Sequence, residues 1–277
     1  MSPPTPINRN CPMFHGKTII SLTMAVFLLS ACAKSPLGRN QLKLYSGTQL
    51  AGMGSQAFDG MKSQQKVLNQ GVTNNYVSCV AQAITHQVPK SVFSGEWEVV
   101  VFDEPQVNAF ALPGGKIGVY AGLLEVAENQ AQLAAVIGHE VGHVIAEHGN
   151  ERMSSSTLIG AGMEVTNQLL KTNQIANNNM IMAAIGLGVQ VGVQLPFGRT
   201  HETEADLIGL QLMAKSGFDP IQSVNLWQNM AKASGDKRQP EFLSTHPAPQ
   251  SRIDKLQKNM APALALYKKT TDRPSCK

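Results

Sequence analysis

Apolar residues recur with a helical period over most of the chain, and two helices are predicted before the first strand. Residues 46–66 form the first helix, because Ser46 and Gln49 have the spacing of a capping box. Residues 74–88 form the second, with apolar side chains every three or four positions and Pro89 directly after its end. The first part of the folded region is therefore predicted to be helical.

The hydrophobic period then falls to two residues, which predicts a small sheet. EWEVVVF, residues 96–102, alternates and is rich in valine, as strands are. Residues 107–113 and 116–120 flank Gly114-Gly115 and have the pattern of a β-hairpin. A helical pattern resumes over residues 121–150. A small three-stranded sheet followed by this helix indicates an α+β fold that is mostly helical.

A second apolar stretch lies between residues 151 and 198. Its last part, residues 180–195, is apolar on nearly every face, yet it is only 16 residues long and contains Gln190 and Gln194. A helix needs ~20 apolar residues to cross a bilayer. We therefore expect a buried helix here, and the alternative is a lid or a membrane-facing helix over the cleft. Asp219-Pro220 predicts the start of a further helix.

Composition is typical of a globular protein and excludes one class of partner. Of the 277 residues, 43% are apolar and 15% are charged, so a sizeable core can form. The net charge of +4 is too small to indicate nucleic acid as a partner. No nucleic-acid function is therefore expected, and the sequence leaves the oligomeric state unknown.

The N-terminus has the features of a secretory signal peptide. Arg9 and Lys17 precede the apolar run IISLTMAVFLLSAC, which has the length of a signal sequence. Its end, residues 29–32, resembles the lipobox of bacterial lipoproteins. That resemblance implies that residues 1–31 are removed and that Cys32 is lipidated, which would anchor the protein in a membrane.

The rest of the chain is predicted to face the periplasm. Ala33, in place of the aspartate that retains such lipoproteins in the inner membrane, favours the outer membrane. Residues 32–45 are expected to be a tether and residues 46–277 a single domain. Cys79 and Cys276 are plausible disulfide partners in an oxidising compartment, and the alternative is two free thiols.

The helix predicted over residues 121–150 carries the motif His139-Glu140-x-x-His143. The two histidines lie about 40° apart on a helical wheel, with Glu140 beside them. A zinc hydrolase requires this arrangement, because two imidazoles bind the ion while the glutamate acts as a general base on water. The flanking residues are apolar, and a buried helix does not keep these side chains without partners. One zinc ion per chain is therefore predicted.

A catalytic zinc needs a third protein ligand, and a later helical segment offers one. Ala146 and Gly149 stand where an extended form of the motif has its glycine and third histidine, so that form is excluded. In the later segment, Glu202 shares a helical stripe with Asp206, whereas Glu204 lies on the other side. Glu202 is the predicted ligand, and Asp206 is expected to orient an imidazole.

Three nearby polar residues are predicted to lie away from the metal site. His148 is expected to project away from the two motif histidines and to end their helix. His201 and Glu204 are expected to lie on a solvated face of the later helix.

The residues together resemble metallopeptidase family forty-eight, the family of the HtpX and CAAX prenyl proteases, and especially its lipoprotein branch. HEVGH is followed after 58 residues by E-T-E-A-D, and four further stretches are similar to that family: residues 38–42, 107–115, 120–124 and 244–247 with Arg252-Ile253. The resemblance implies a gluzincin fold, with the sheet over the HEVGH helix, and zinc-dependent endopeptidase activity. The chain departs from some members in lacking a helical-repeat domain and clear transmembrane spans.

Peptide hydrolysis is the expected reaction. The backbone of Asn108, Ala109 and Phe110 is predicted to pair with an extended substrate, as exposed edge strands do. Glu140 is expected to take a proton from the attacking water and to pass it to the leaving amine.

Two further residues are candidates for stabilising the developing oxyanion, His246 and Arg252. His246 has two alternative roles: it could be a self-inhibiting fourth zinc ligand, or it could cap the turn before Pro247. Asp206 could also donate a proton, although we favour its role in orienting a ligand. Only distances to the metal site can separate these alternatives.

The sequence therefore predicts a lipid-anchored zinc endopeptidase on the periplasmic face of the outer membrane. Its expected substrates are unfolded or misassembled envelope proteins, which is an inference from the family and not from single residues. The alternative is a zinc-bearing periplasmic chaperone or assembly factor with little proteolytic turnover. A third possibility is another zinc hydrolase, such as an amidase.

Overall fold

The computed structural model describes residues 32–68, 71–233, 241–246 and 250–276. The predicted signal peptide, the side chain of Cys32 and Pro247 lie outside the described residues. The strands are β1 (Cys32–Lys34), β2 (Asn40–Leu42), β3 (Val67–Leu68), β4 (Glu98–Phe102), β5 (Ala109–Leu112) and β6 (Lys116–Tyr120). The helices are α1 (Gly47–Gln64), α2 (Val72–Thr85), α3 (Gln130–Ile145), α4 (His148–Thr172), α5 (Asn178–Val189), α6 (Leu195–Lys215), α7 (Gln222–Ala233), α8 (Glu241–Thr245), α9 (Gln250–Lys258) and α10 (Met260–Lys269).

The main sheet has four strands in the order β3-β4-β6-β5, which confirms the predicted strands and adds one. β5 and β6 form the predicted antiparallel hairpin, while β4 and β6 are parallel. The added strand, β3, is only two residues long and pairs antiparallel with β4. A two-residue strand has no hydrophobic period, so its sequence gave no signal.

Side chains alternate between the two faces of the sheet, as the period of two requires. Val101 and Val119 point into the main core with α2 and α3. On the opposite face, Phe102 and Tyr120 stack with ring centroids 5.3 Å apart. Phe58 of α1 is completely buried against this second face, so α1 covers it. The sheet is thus sandwiched between helices on both faces.

The helix that carries the motif is shorter than predicted. A 3₁₀ turn (Ala121–Glu125) precedes α3, whose N-cap Asn129 accepts hydrogen bonds from the backbone amides of Ala131 and Gln132. At the other end, Glu147 has left-handed backbone angles, φ 51° and ψ 35°. This conformation cannot continue a helix, so α4 starts in a new direction at its next residue.

One glycine on each helix allows α6 to pack closely against α3. A Cβ atom added to Gly209 would lie 2.8 Å from the backbone nitrogen of His139, and one added to Gly142 would lie 2.8 Å from the carbonyl oxygen of Ala205. A side chain at either glycine position would prevent this approach. The two helices that carry the predicted zinc ligands are therefore held backbone to backbone.

Residues 32–45, predicted to be a tether, have structure of their own. β1 and β2 pair antiparallel, with Lys34 opposite Asn40. The ribbon is fixed to the domain by Gln41, which is 3% exposed and donates a hydrogen bond to the carbonyl of Ala146 at 2.6 Å. That carbonyl lies at the C-terminus of α3, so the ribbon caps the helix that carries the motif.

The expectation of a buried helix over residues 180–195 is wrong. No residue of α5 is buried, and Met180 and Leu187 are 67% and 62% exposed. α5 continues through a π-helical turn (Gln190–Gln194) into α6. The resulting helix, Asn178–Lys215, is long and apolar enough to cross a membrane by length and composition alone. Residues 180–195 are apolar on nearly every face, so the sequence alone could not distinguish a buried helix from an exposed one.

Cys79 and Cys276 form a disulfide bond, with their Cα atoms 5.7 Å apart. It joins α2 to the end of the described chain, across 197 residues of sequence. Next to it, the amide of Cys276 donates to the side chain of Gln130 at the start of α3. The C-terminal tail is therefore fixed to the end of α3 that lies away from His143.

Candidate active site

Four side chains converge between α3, α6 and α8, and all four are buried: His139, His143, Glu202 and His246. Their potential ligand atoms lie within 4.8 Å of one another. Nε2 of His139 is 3.1 Å from Nε2 of His143 and 3.3 Å from Oε2 of Glu202. Nδ1 of His246 is 2.9 Å from Oε2 of Glu202 and 3.2 Å from Nε2 of His139.

The spacing of these donors fits a zinc ion. Tetrahedral zinc with bonds of about 2.0–2.1 Å places its ligand atoms roughly 3.3 Å apart. The distances among His139, His143 and Glu202 lie between 3.1 and 3.4 Å. Imidazole nitrogens with one carboxylate oxygen form the donor set of many catalytic zinc sites. The three predicted ligands could therefore hold one zinc ion, and His246 lies at the fourth corner.

Asp206 lies behind His139, at its Nδ1, and Arg252 reaches both Asp206 and the ligand side, with its Nη1 3.1 Å from Oε2 of Glu202. Oδ1 of Asp206 is 3.0 Å from Nδ1 of His139, and Arg252 donates to both oxygens of Asp206 at 2.7 Å. This geometry fits the predicted role of Asp206 in orienting an imidazole. Arg252 is 3% exposed and stacks on Trp227, and its predicted contact with substrate stays a prediction. The sequence could not show that Asp206 engages this guanidinium.

His148, His201 and Glu204 are buried, and the expectations of a helix end and a solvated face are wrong. They are 0%, 1% and 4% exposed. The left-handed turn at Glu147 directs His148 back towards His143, with the two Nδ1 atoms 2.9 Å apart. Arg39 of the β-ribbon covers the face of α6 that carries Glu204. A helical wheel shows which residues share a face, but it does not show what covers that face.

Glu140 points into the site without forming a hydrogen bond to the predicted zinc ligands. It is 5% exposed, and its Oε1 is buried without a hydrogen-bond partner. Nε2 of His246 lies 3.4 Å from this oxygen. A buried carboxylate oxygen with no partner is costly in a purely structural position. Glu140 therefore has the position that a general base beside a zinc ion requires.

Carboxylates around His139 favour positive charge at the centre of the site. Burial by itself lowers the pKa of His139, but Asp206 and Glu202 outweigh it and raise this pKa to about 9. For Glu202, burial by itself would raise the pKa, but hydrogen bonds from the surrounding histidines hold this pKa far below its usual range. The pKa of His143 is well below its usual value, chiefly because of burial. His143 is thus neutral, as a metal ligand must be.

A groove of about 1020 Å³ opens beside the site. Its walls include Leu112 of β5, Pro113 of the hairpin turn and the predicted ligand His143. β5 is the end strand of the sheet as described, so an extended peptide could add to it. The side chain of Phe110 contacts Phe58 on the other face of the sheet and is not part of the groove wall.

His246 reaches the ligands because α8 is fixed to the edge strand. The amide of Phe242 donates to the carbonyl of Val107, just before β5, at 3.0 Å. The Phe242 ring stacks on His246, with centroids 4.7 Å apart. The side chain that completes the donor cluster is therefore attached to the strand predicted to bind substrate.

Two histidines and a glutamate on one buried helix, joined by a second glutamate from a later helix, are the set of side chains that zinc metallopeptidases use. The chain belongs to peptidase family M48, whose family model matches residues 72–260. This confirms the resemblance and the predicted α+β fold of gluzincin type. One zinc ion per chain, as predicted, fits both the family and the donor cluster.

Several metalloendopeptidases are similar to this chain. The mitochondrial metalloendopeptidase OMA1 of Arabidopsis thaliana is 34% identical over 242 residues, which cover 86% of this chain and 47% of that protein. The OMA1 of Saccharomyces cerevisiae is 31% identical, over 74% of this chain and 60% of its own length. The beta-barrel assembly-enhancing protease of Escherichia coli is 27% identical, over 73% and 42%. The chain spans about half the length of the curated relatives it matches.

Proposed function

We propose that the protein is a zinc endopeptidase that hydrolyses unfolded or misassembled proteins of the bacterial envelope. The observation that carries the proposal is the groove between the edge strand β5 and the zinc ligand His143. An extended chain that pairs with β5 would pass directly over the ligand atoms. A relative named for assembly of beta-barrels, in Escherichia coli, supports the envelope as the place of action.

In this proposal each residue has a defined role. A zinc ion held by His139, His143 and Glu202 would supply a Lewis acid that polarises the scissile carbonyl and lowers the pKa of the attacking water. Oε1 of Glu140, which is buried and accepts no hydrogen bond, takes the proton from that water and gives it to the leaving amine. Asp206 holds Nδ1 of His139 so that Nε2 points at the ion.

His246 is proposed to keep the described conformation latent. Its Nδ1 lies within hydrogen-bond distance of two ligand atoms, at the corner that a substrate carbonyl would need. A fourth protein ligand closes a zinc site, whereas a catalytic site keeps one position open. We therefore favour the self-inhibiting role of His246 over the oxyanion role, and displacement of α8 would open the site.

The proposed location is the periplasmic face of the outer membrane, with a lipid anchor on Cys32. The β-ribbon starts at Cys32, so an anchor there would hold the catalytic domain at the membrane surface. The exposed apolar helix α5 supports the same location. In α6, which continues from α5, the ring of Phe197 lies 5.9 Å from the guanidinium of Arg39 in the ribbon. Two measurements test this location: labelling of the chain by fatty acid, and sedimentation of the chain with outer membranes. Both should be lost in Cys32→Ser.

Cleavage of casein by the purified protein tests the proposed activity. Wild type, Glu140→Gln and His246→Ala are compared, with bound zinc measured in each. The proposal requires cleavage by wild type or by His246→Ala, and none by Glu140→Gln although it retains zinc. Cleavage by His246→Ala alone would identify His246 as the inhibitory ligand. If all three bind zinc and none cleaves, the alternative of a zinc-bearing chaperone or assembly factor replaces the protease.

A further inference from the structure

His143 has contacts on both sides of its ring. Its Nε2 faces the other ligand atoms, 3.4 Å from Oε1 of Glu202. Its Nδ1 faces away from them, 2.9 Å from Nδ1 of His148. Two ring nitrogens at this distance form a hydrogen bond only when one carries a proton and the other accepts it. The state of His148 therefore determines which nitrogen of His143 is free to bind a metal.

The other nitrogen of His148 determines that state. Nε2 of His148 is 3.2 Å from Oε2 of Glu204, and a carboxylate that is also paired with an arginine accepts hydrogen bonds. His148 must then donate from Nε2, which leaves its Nδ1 as an acceptor. In turn, His143 donates from Nδ1, and the lone pair of its Nε2 points at the metal position. The chain of hydrogen bonds thus permits one tautomer of His143.

Arg39 fixes the far end of this chain. It donates to both oxygens of Glu151 at 2.6 and 2.7 Å, and its Nε and Nη2 each lie 3.1 Å from Oε2 of Glu204. The backbone that carries Arg39 is itself held, because its amide and carbonyl both bond to Ser35 across the turn of the β-ribbon. Arg39 therefore presents a fixed guanidinium to two carboxylates from α4 and α6.

The two histidines of the motif are supported in parallel ways. His139 is held by the carboxylate of Asp206, which Arg252 fixes with two hydrogen bonds. His143 is held by His148 and by the carboxylate of Glu204. The difference is that Arg252 comes from α9, C-terminal to both metal-site helices, whereas Arg39 comes from the N-terminal β-ribbon.

We propose that His148, Glu204 and Arg39 are positioning residues that fix the tautomer and orientation of His143, so that the N-terminal β-ribbon is part of the metal centre. The proposal rests on the zinc site of the proposed function. It means that the segment directly after Cys32 does more than connect an anchor to a domain. Displacing the ribbon would release Glu204 and weaken the hold on His143.

Zinc affinity of the purified protein tests the proposal, measured by competition with a chromophoric chelator. His148→Phe keeps the ring that stacks on His201 with centroids 4.1 Å apart, but removes the acceptor for His143. Arg39→Gln leaves His148 intact and removes the guanidinium from Glu204, which keeps, besides His148, the weaker contact with the amide of Leu37 at 3.4 Å and that with Ser35. Loss of such outer hydrogen bonds is expected to weaken zinc binding by about 10- to 100-fold in each variant. Circular dichroism and the denaturation midpoint identify any variant that fails to fold.

Lys43→Gln is the matched control. Lys43 also joins the N-terminal segment to the junction of α3 and α4, through Glu147 at 2.7 Å, but it has no connection to His143. Its zinc affinity should stay within about twofold of wild type, since an exposed pair contributes little. Equal losses in Lys43→Gln and Arg39→Gln would overturn the proposal, because the effect would then be general loosening of the segment.

Nitrogen-15 NMR of the zinc-free protein gives a second readout. Wild type should show His143 with its proton on Nδ1, and His148→Phe should shift it towards the Nε2 tautomer. An unchanged tautomer together with unchanged zinc affinity would refute the positioning role. Failure of wild type to bind zinc would instead refute the proposed function, so the two failures are distinguishable.

Discussion

Replacing Gly209 by alanine tests whether the close approach of α3 and α6 sets the zinc geometry. A Cβ atom there would lie 2.8 Å from the nitrogen of His139, whereas ordinary contacts begin at 3.4 Å. Both helices meet through backbone atoms at this point, so neither can rotate a side chain away. The helices must separate by roughly 0.6 Å, more than the ~0.5 Å within which such a site tolerates displacement. Glu202 on α6 would then move away from His139 on α3.

The expected result is a loss in both stability and zinc affinity. Overpacking costs about 1–3 kcal/mol, partly offset by about 1 kcal/mol from the better helix propensity of alanine. Zinc affinity should fall about tenfold or more, which corresponds to about 1.4 kcal/mol of lost binding energy. Guanidinium denaturation and chelator competition measure the two quantities.

Gly198→Ala is the matched control on the same helix. A Cβ atom at Gly198 would meet no atom within 4 Å among the described residues beyond its own turn of helix. This variant should gain up to about 1 kcal/mol from helix propensity and keep its zinc affinity. If Gly209→Ala matched Gly198→Ala in both measurements, the argument that backbone contact sets the ligand geometry would be refuted.

Three further predictions concern other parts of the molecule. Cys276→Ser opens a disulfide that spans 197 residues of sequence. The chain-entropy model limits the loss of stability to about 5 kcal/mol, which should appear as a lower denaturation midpoint while zinc affinity is retained. Chelation of zinc should lower the melting temperature in scanning fluorimetry, because ligand at a thousandfold excess over Kd contributes about 4 kcal/mol; an unchanged value would contradict a resident ion. Asn129→Ala removes the N-cap of α3 and should cost about 1 kcal/mol in urea, whereas Asn129→Asp should retain most of it.

Local patterns in the sequence predicted much of the fold. The capping box at Ser46 is present, with both of its reciprocal hydrogen bonds. The two-residue period and Gly114-Gly115 correctly predicted the β5–β6 hairpin. The helical period also selected Glu202 over Glu204, and Glu202 is the residue that lies against both motif histidines. Each of these signals concerns residues that are close in sequence, so periodicity and capping rules apply to them directly.

The misplaced residues depend on contacts between distant segments. His148 was expected to project away because a continuous helix was assumed, and the left-handed Glu147 changes its direction. Glu204 is predicted to be solvated because it lies on the opposite side of the helix from Glu202, but Arg39 covers that side from 165 residues away in sequence. A polar face indicates either water or an ionic partner, and the sequence does not distinguish them.

By itself, the sequence determined the HEVGH motif, the glutamate that lies against its two histidines, the small sheet and the class of chemistry. Those features follow from side-chain types at fixed spacings along one helix or strand. Only the tertiary structure decided that His246 completes the donor cluster, that His148 and Arg39 stand behind His143, and that α5 is exposed. Burial, tautomer and access all depend on which segments meet in space, and a one-dimensional pattern specifies a face but not the group that covers it.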